Sequence, residues 1–142
     1  MKKLLLFPLL FLGLFCVAQT TKPTRIIGKS IVLGKLEIAE YDFGAKINFY
    51  EANLACTALG DGWRLPTIDE LDFINKHQNK IKHLKDETYW SSTLVDLTEP
   101  QWIGTKYEGP MYKLLWFKNS LFLHGVVSEP NEKNYARAVR SL

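Results

Sequence analysis

Gly62-Trp63-Arg64-Leu65-Pro66-Thr67-Ile68-Asp69-Glu70-Leu71 carries the clearest structural signal in the chain. Thr67 with Glu70 three residues later is a capping box, in which each side chain satisfies a free backbone amide at a helix start. Pro66 fixes the entry, Asp69 and Asp72 suit the positive end of a helix, and Ile68, Leu71 and Ile74 recur at helical spacing. The pattern predicts a helix from Thr67 to near Gln78. Upstream, Phe49, Ala52, Cys56 and Leu59 keep the same period and predict a first helix over residues 45–59, stopped by Gly60 and Gly62.

Strand patterns surround these helices. Residues 25–33 are β-rich, and residues 36–43 alternate imperfectly and read as a strand. Residues 79–87 are polar and Lys-rich and read as loop. Beyond them come short β segments at 89–93, 102–105, 112–117, 121–127 and 135–142. Turn sequences separate them: Glu99-Pro100, Glu108-Gly109-Pro110, Asn119-Ser120 and Glu129-Pro130-Asn131. A strand, two helices and then a run of short strands is an α+β order, not alternating βαβ.

The chain has 142 residues, 46% hydrophobic and 23% charged, which suits one domain and excludes a disordered, collagen-like or coiled-coil chain. Residues 1–18 read as a secretory signal peptide. Lys2 and Lys3 precede an apolar run over 4–17, and Val17-Ala18 offers a small residue at the cleavage point. The run is short for a membrane span, which needs about 20 residues. Lipidation at Cys16 is disfavoured by the bulky Phe15 before it. Cleavage after Ala18 leaves 124 of the 142 residues, a lead-in at 19–35 and a domain at 36–142. It also removes Lys2 and Lys3 from the 18 basic residues, leaving 16 against 15 acidic ones. A net charge near +1 exerts no strong pull on nucleic acid or an anionic membrane, and no stable membrane span remains. Export to the periplasm, the cell surface or the medium is expected. Cys56 alone survives cleavage, so no internal disulfide is expected.

Gly62-Trp63-Arg64-Leu65-Pro66-Thr67, then Tyr89-Trp90-Ser91-Ser92-Thr93, then Ala136-Arg137-Ala138-Val139-Arg140 together resemble the Lcl C-terminal domain family, bacterial domains of largely unassigned role. The resemblance covers residues 36–142. It implies a C-type-lectin-like fold: two helices flanking a twisted antiparallel sheet, the first strand (36–41) paired with the last (135–140). It further implies a long irregular loop region that can hold a ligand, and a role in surface adhesion or polysaccharide binding. Family members often carry a Cys where Ala138 stands, as partner to the helix-one Cys. Here that partner is missing, and Cys56 reads as a buried hydrophobe.

Within the motifs, Trp63 reads as core, and Arg64 as the partner of a helix-one acid or a carbonyl. Period-two alternation puts one of Tyr89 and Trp90 inside and the other outside. Ser91, Ser92 and Thr93 read as hydrogen-bonding strand residues. Glu129-Pro130-Asn131 matches a calcium-lectin tripeptide, but calcium needs six to eight oxygens and no Trp-Asn-Asp segment follows. His77, His83 and His124 lack zinc spacing. Residues 64–70 also resemble the formylglycine-generating enzyme, whose chemistry needs two cysteines. No catalytic constellation, metal or cofactor is expected. What remains is a binding surface for carbohydrate or a cell-surface polymer, formed by Trp102, Lys106, Tyr107, Tyr112, Lys113 and Trp116, whose rings can stack on sugars and whose ammonium groups can reach acidic substituents. The alternative is a structural or assembly subunit of a cell-surface complex that pairs through a sheet edge. The oligomeric state is not set by these patterns.

Overall fold

The structure, a computed structural model, describes residues 24–100, 103, 109–117 and 126–142. In chain order they form α1 (Thr24–Ile27), β1 (Ile31–Leu33), β2 (Leu36–Ile38), α2 (Phe49–Thr57), α3 (Ile68–Lys76), a 3-10 turn (Gln78–Lys80), β3 (Thr88–Leu94), β4 (Tyr112–Trp116), β5 (Val126–Ser128) and β6 (Val139–Ser141). Two three-stranded antiparallel sheets result, ordered β1-β2-β6 and β3-β4-β5. The expected signal peptide lies outside the described residues, as do the expected strand at 102–105, apart from Ile103 in a turn, and most of the one at 121–127.

Both long helices start at capping boxes. Thr67 accepts from the Glu70 amide while Glu70 returns a bond to the Thr67 amide, as the spacing predicts. Asn48 and Glu51 form a second box, so α2 begins at Phe49 rather than near residue 45. The preceding Ile47 is already committed to a β-bridge with Asn134 and cannot be helical. Residues 25–33 also divide differently from the expectation of continuous β structure. The carbonyls of Ile26 and Ile27 accept from the Tyr41 and Glu40 amides, which curls α1 against the segment after β2. Gly28, at φ 53°, makes the corner, where a Cβ would collide with the Glu40 and Tyr41 side chains. The sheet therefore begins at Ile31, ahead of the boundary expected at Leu36.

The expected pairing of first and last strands is present. Leu36, Glu37 and Ile38 face Ser141, Arg140 and Val139, and the Ala39 and Phe43 amides extend the ladder to the Ala138 and Ala136 carbonyls. The same terminal segment does more. Val139 exchanges backbone bonds with Arg64, Asn134 bridges Ile47, and Tyr135 bridges Tyr89 in parallel. It thus joins the two sheets and the loop that leads into α3.

Alternation along this segment separates two cores. Ala136 and Ala138 pack with Ala39, Phe49, Ala52, Cys56, Trp63, Leu65, Trp90 and Leu114 beneath α2. Val139 packs with Leu36, Ile38, Leu71, Ile74, Ile81, Tyr89, Leu115 and Phe117 beneath α3. β3 lies between them. Tyr89 and Trp90 are both 0% exposed, one in each core, which corrects the expectation that one of them faces solvent. Alternation holds, but both faces of this strand are covered.

Candidate functional site

The motif segments 62–67 and 89–93 are spent on holding each other. β3 loses register between Trp90 and Leu94, and the Ser91 hydroxyl donates to the Lys113 carbonyl at 2.6 Å across the irregular stretch. The Ser92 amide donates to the Pro66 carbonyl at 2.7 Å, and the Thr93 hydroxyl accepts from the Ile68 amide at 2.9 Å, another free donor at the start of α3. Trp63 is buried, with the Arg140 guanidinium 5.1 Å from its ring centre. Arg64 pairs with both carboxylate oxygens of Glu70, at 2.7 and 2.8 Å, so its acidic partner stands on α3 and not on the first long helix, and it also donates to a carbonyl, that of Leu65, at 3.2 Å. The Arg64 hydrogen bond is the main reason the Glu70 carboxyl sits below its ordinary pKa.

None of the nucleophile candidates is poised for chemistry. The Cys56 thiol is fully buried, and burial pushes its pKa up to about 12, so the thiolate is not populated near neutral pH. Ser91 is equally buried, with its proton given to a carbonyl. The ring of His77 packs against Phe73, and His83 stacks on Tyr41. Glu129-Pro130-Asn131 forms a turn, in which the Glu132 amide closes on the Glu129 carbonyl and the Pro130 carbonyl receives the first amide of α2.

Of the expected ligand residues, Trp102, Lys106 and Tyr107 lie outside the described residues, and Trp116 is described by its backbone only, paired with Thr88. Tyr112 and Lys113 are neighbours on β4 and so point to opposite faces of the sheet, which means they do not form one surface. Tyr112 belongs to the α2 side. Its ring stacks on Phe49 with centroids 3.5 Å apart, and meets Trp90 edge-on at 6.4 Å. Burial, then the neighbouring Tyr50, raises its phenol pKa. Tyr50 itself is 56% exposed and lies edge-on to Phe49 at 5.9 Å. One turn further along α2, Leu54 is 71% exposed. An aromatic column therefore runs from the buried Trp90 through Phe49 to Tyr112 and the solvent-facing Tyr50. The helical stripe in the sequence identifies the buried face of α2 but carries no mark for Tyr50, which becomes conspicuous only beside Tyr112.

A shallow cleft of about 360 Å³ opens between the β1–β2 hairpin, the first turns of α3 and Leu142, lined by Leu33, Lys35, Leu36, Asp69 and Phe73 among others. It contains none of the expected ligand residues. No helix among the described residues is long and apolar enough to cross a membrane.

No protein-family model matches the chain, and no curated protein does. Solved structures do. EMS16, an antagonist of the collagen receptor integrin alpha2beta1, superposes with a TM-score of 0.57 at 16% identity, over 80% of this chain and 97% of its own. Botrocetin covers 80% of this chain and 96% of its own, at 16% identity and a TM-score of 0.49. EMS16 is a C-type-lectin-like protein, and at this identity the likeness establishes architecture alone. The chain has the C-type-lectin-like fold, α+β, with β2 paired to the last strand and the terminal segment bridging the two small sheets at Tyr135.

Proposed function

We propose that this protein is an exported, non-catalytic binding module that recognises carbohydrate or a cell-surface polymer, as its resemblance to the Lcl C-terminal domain family implies. The observation that carries this reading is the aromatic column ending at Tyr50 and Tyr112. A large ring held in the open edge-on against a buried ring is a surface on which a sugar face can lie. The occupied or buried state of Cys56, Ser91 and the described histidines supports a role without catalysis. The lectin-like fold is compatible with binding but does not name a ligand. Export rests on residues 1–18, and intact-mass analysis of the secreted product should start at Gln19. The decisive experiment is a glycan array probed with residues 19–142, with and without calcium. Glycan binding that is independent of calcium supports the reading, and silence across the array overturns it.

The alternative of an assembly subunit has one observation in its favour. The outer edge of β1 is unpaired among the described residues, with Val32 exposed on it. A silent array together with stable self-association in sedimentation would favour that role.

A further inference from the structure

Three segments far apart in sequence place two ammonium groups on one ring. Lys46 Nζ lies 5.4 Å and Lys85 Nζ 4.4 Å from the centre of the half-buried Tyr135 ring. Laid end to end, those distances keep the two charges within about 10 Å of each other, close to the screening length of physiological salt. The ring offsets part of their repulsion through its negative face. Glu87 pairs with Lys46 at 2.8 Å, whereas Lys85 has no ion pair among the described residues and is exposed. The geometry already accepts one carboxylate and leaves the second cation with the ring face but no carboxylate among the described residues.

The backbone beneath is held firmly. Arg137, fully buried, pairs with Asp42 and donates to the carbonyls of Lys82 and His83 at 3.3 and 2.9 Å. The Lys85 amide donates to the Tyr89 hydroxyl at 2.9 Å, and that hydroxyl donates to Asp42 at 2.8 Å. His83 is kept at φ 62°, a left-handed conformation costly for a residue with a side chain. Such strain persists only where the surroundings impose it, and it collects at ligand sites. Lys46 is anchored through the Ile47–Asn134 bridge, and Tyr135 through bonds to Thr88 and Trp90. An exposed lysine on a loop ordinarily loses much freedom on binding, and here the backbone part of that loss has already occurred.

We propose that Lys46, Lys85 and Tyr135 form an oxyanion site, taking a carboxylate or sulfate group carried on a ligand. The site deepens the binding-module reading and rests on it, but it is separate from the Tyr50–Tyr112 surface. Glu87 is then an internal competitor for the same ammonium group.

The test titrates residues 19–142 with dextran sulfate, polygalacturonate and neutral dextran, and adds free sodium sulfate as a competitor. Binding of at least one charged polymer and not of neutral dextran is expected, weakening as salt rises. The polymer preferred distinguishes sulfate from carboxylate, and full competition by free sulfate shows that the group alone suffices. Lys85→Gln should lower affinity about tenfold, and Glu87→Gln should raise it by freeing Lys46. Lys76→Gln, on α3, removes the same charge elsewhere and should leave affinity within about twofold. Absence of binding by the folded wild type, equal binding of neutral dextran, or an equal loss in Lys76→Gln and Lys85→Gln overturns the site. A protein that binds neutral glycans on the array while ignoring both charged polymers retains the binding-module role and loses this site.

Discussion

The two faces of β3 are packed by opposite means. Toward α2, the core pairs large rings with very small residues: Trp63, Trp90 and Phe49 among Ala39, Ala52, Ala136, Ala138 and Cys56. Small residues let backbone elements approach closely, and the rings fill the space left over. Toward α3, the core is branched aliphatic with Tyr89 and Phe117, and it adjoins a buried ion pair. Arg137 has five partners there: Asp42 at 2.5 Å and the carbonyls of Ala39, Glu40, Lys82 and His83. One side is held by shape, the other by a saturated charge. The polar side can tie two separate segments, 39–42 and 82–83, to the terminal one because each guanidinium proton is directional, which apolar contact is not.

The largest effect should come from the charged side. Arg137→Ala leaves Asp42 buried without its cation and frees four carbonyls, at a cost of about 3–5 kcal/mol in urea denaturation. A loss below about 1 kcal/mol would show that the ion pair is not what holds this side. On the other side, Ala138→Cys tests packing by shape. Cys56 and Ala138 share one core, and the family resemblance implies that a disulfide can join these positions. Oxidation of the variant should add about 2–4 kcal/mol, and two titratable thiols after oxidation would show that the residues do not oppose one another. Thr67→Ala, at the start of α3, should cost about 1 kcal/mol in thermal melts. An unchanged melt would mean that Thr93 and Pro66 hold the helix start without the cap.

The smallest effect is in acid. Glu37 is lowered mainly by its Arg140 hydrogen bond and then by Ser30, and Glu70 mainly by Arg64. A depressed folded-state carboxyl contributes stability above its unfolded pKa of about 4.3, and loses it as pH falls through the lower folded value. Melting temperature should therefore decline below about pH 4.5, and Glu37→Gln combined with Glu70→Gln should flatten that decline. A decline of equal size in the double variant would place the acid sensitivity elsewhere.

The helix starts were legible because capping is local: Thr67 and Glu70 sit three apart and need no tertiary context. The same signal at Asn48 and Glu51 was present and was overridden by an apolar stripe that ran further back. The pairing of 36–41 with 135–140 is implied by the family resemblance together with β patterns at the two ends of the domain. At Tyr89 and Trp90, alternation tells which residues share a face and not whether that face is covered. Arg137 stood within a recognised motif, yet a charged residue between two alanines carries no sign of burial until Asp42 is brought against it from 95 residues away. Lys46, Lys85 and Tyr135 come from three separate loops, so no spacing along the chain could have joined them.

The motif residues hold the fold, and on the proposed function the exposed residues bind the ligand. Glycan affinity and melting temperature, measured side by side for Tyr50→Ala and Thr67→Ala, test this division directly. For a glycan found on the array, Tyr50→Ala should weaken binding at least about tenfold with an unchanged melt. Thr67→Ala should lower the melt and leave the affinity within about twofold. Full affinity in Tyr50→Ala, or a loss of affinity in Thr67→Ala at a temperature where it is fully folded, would contradict the account.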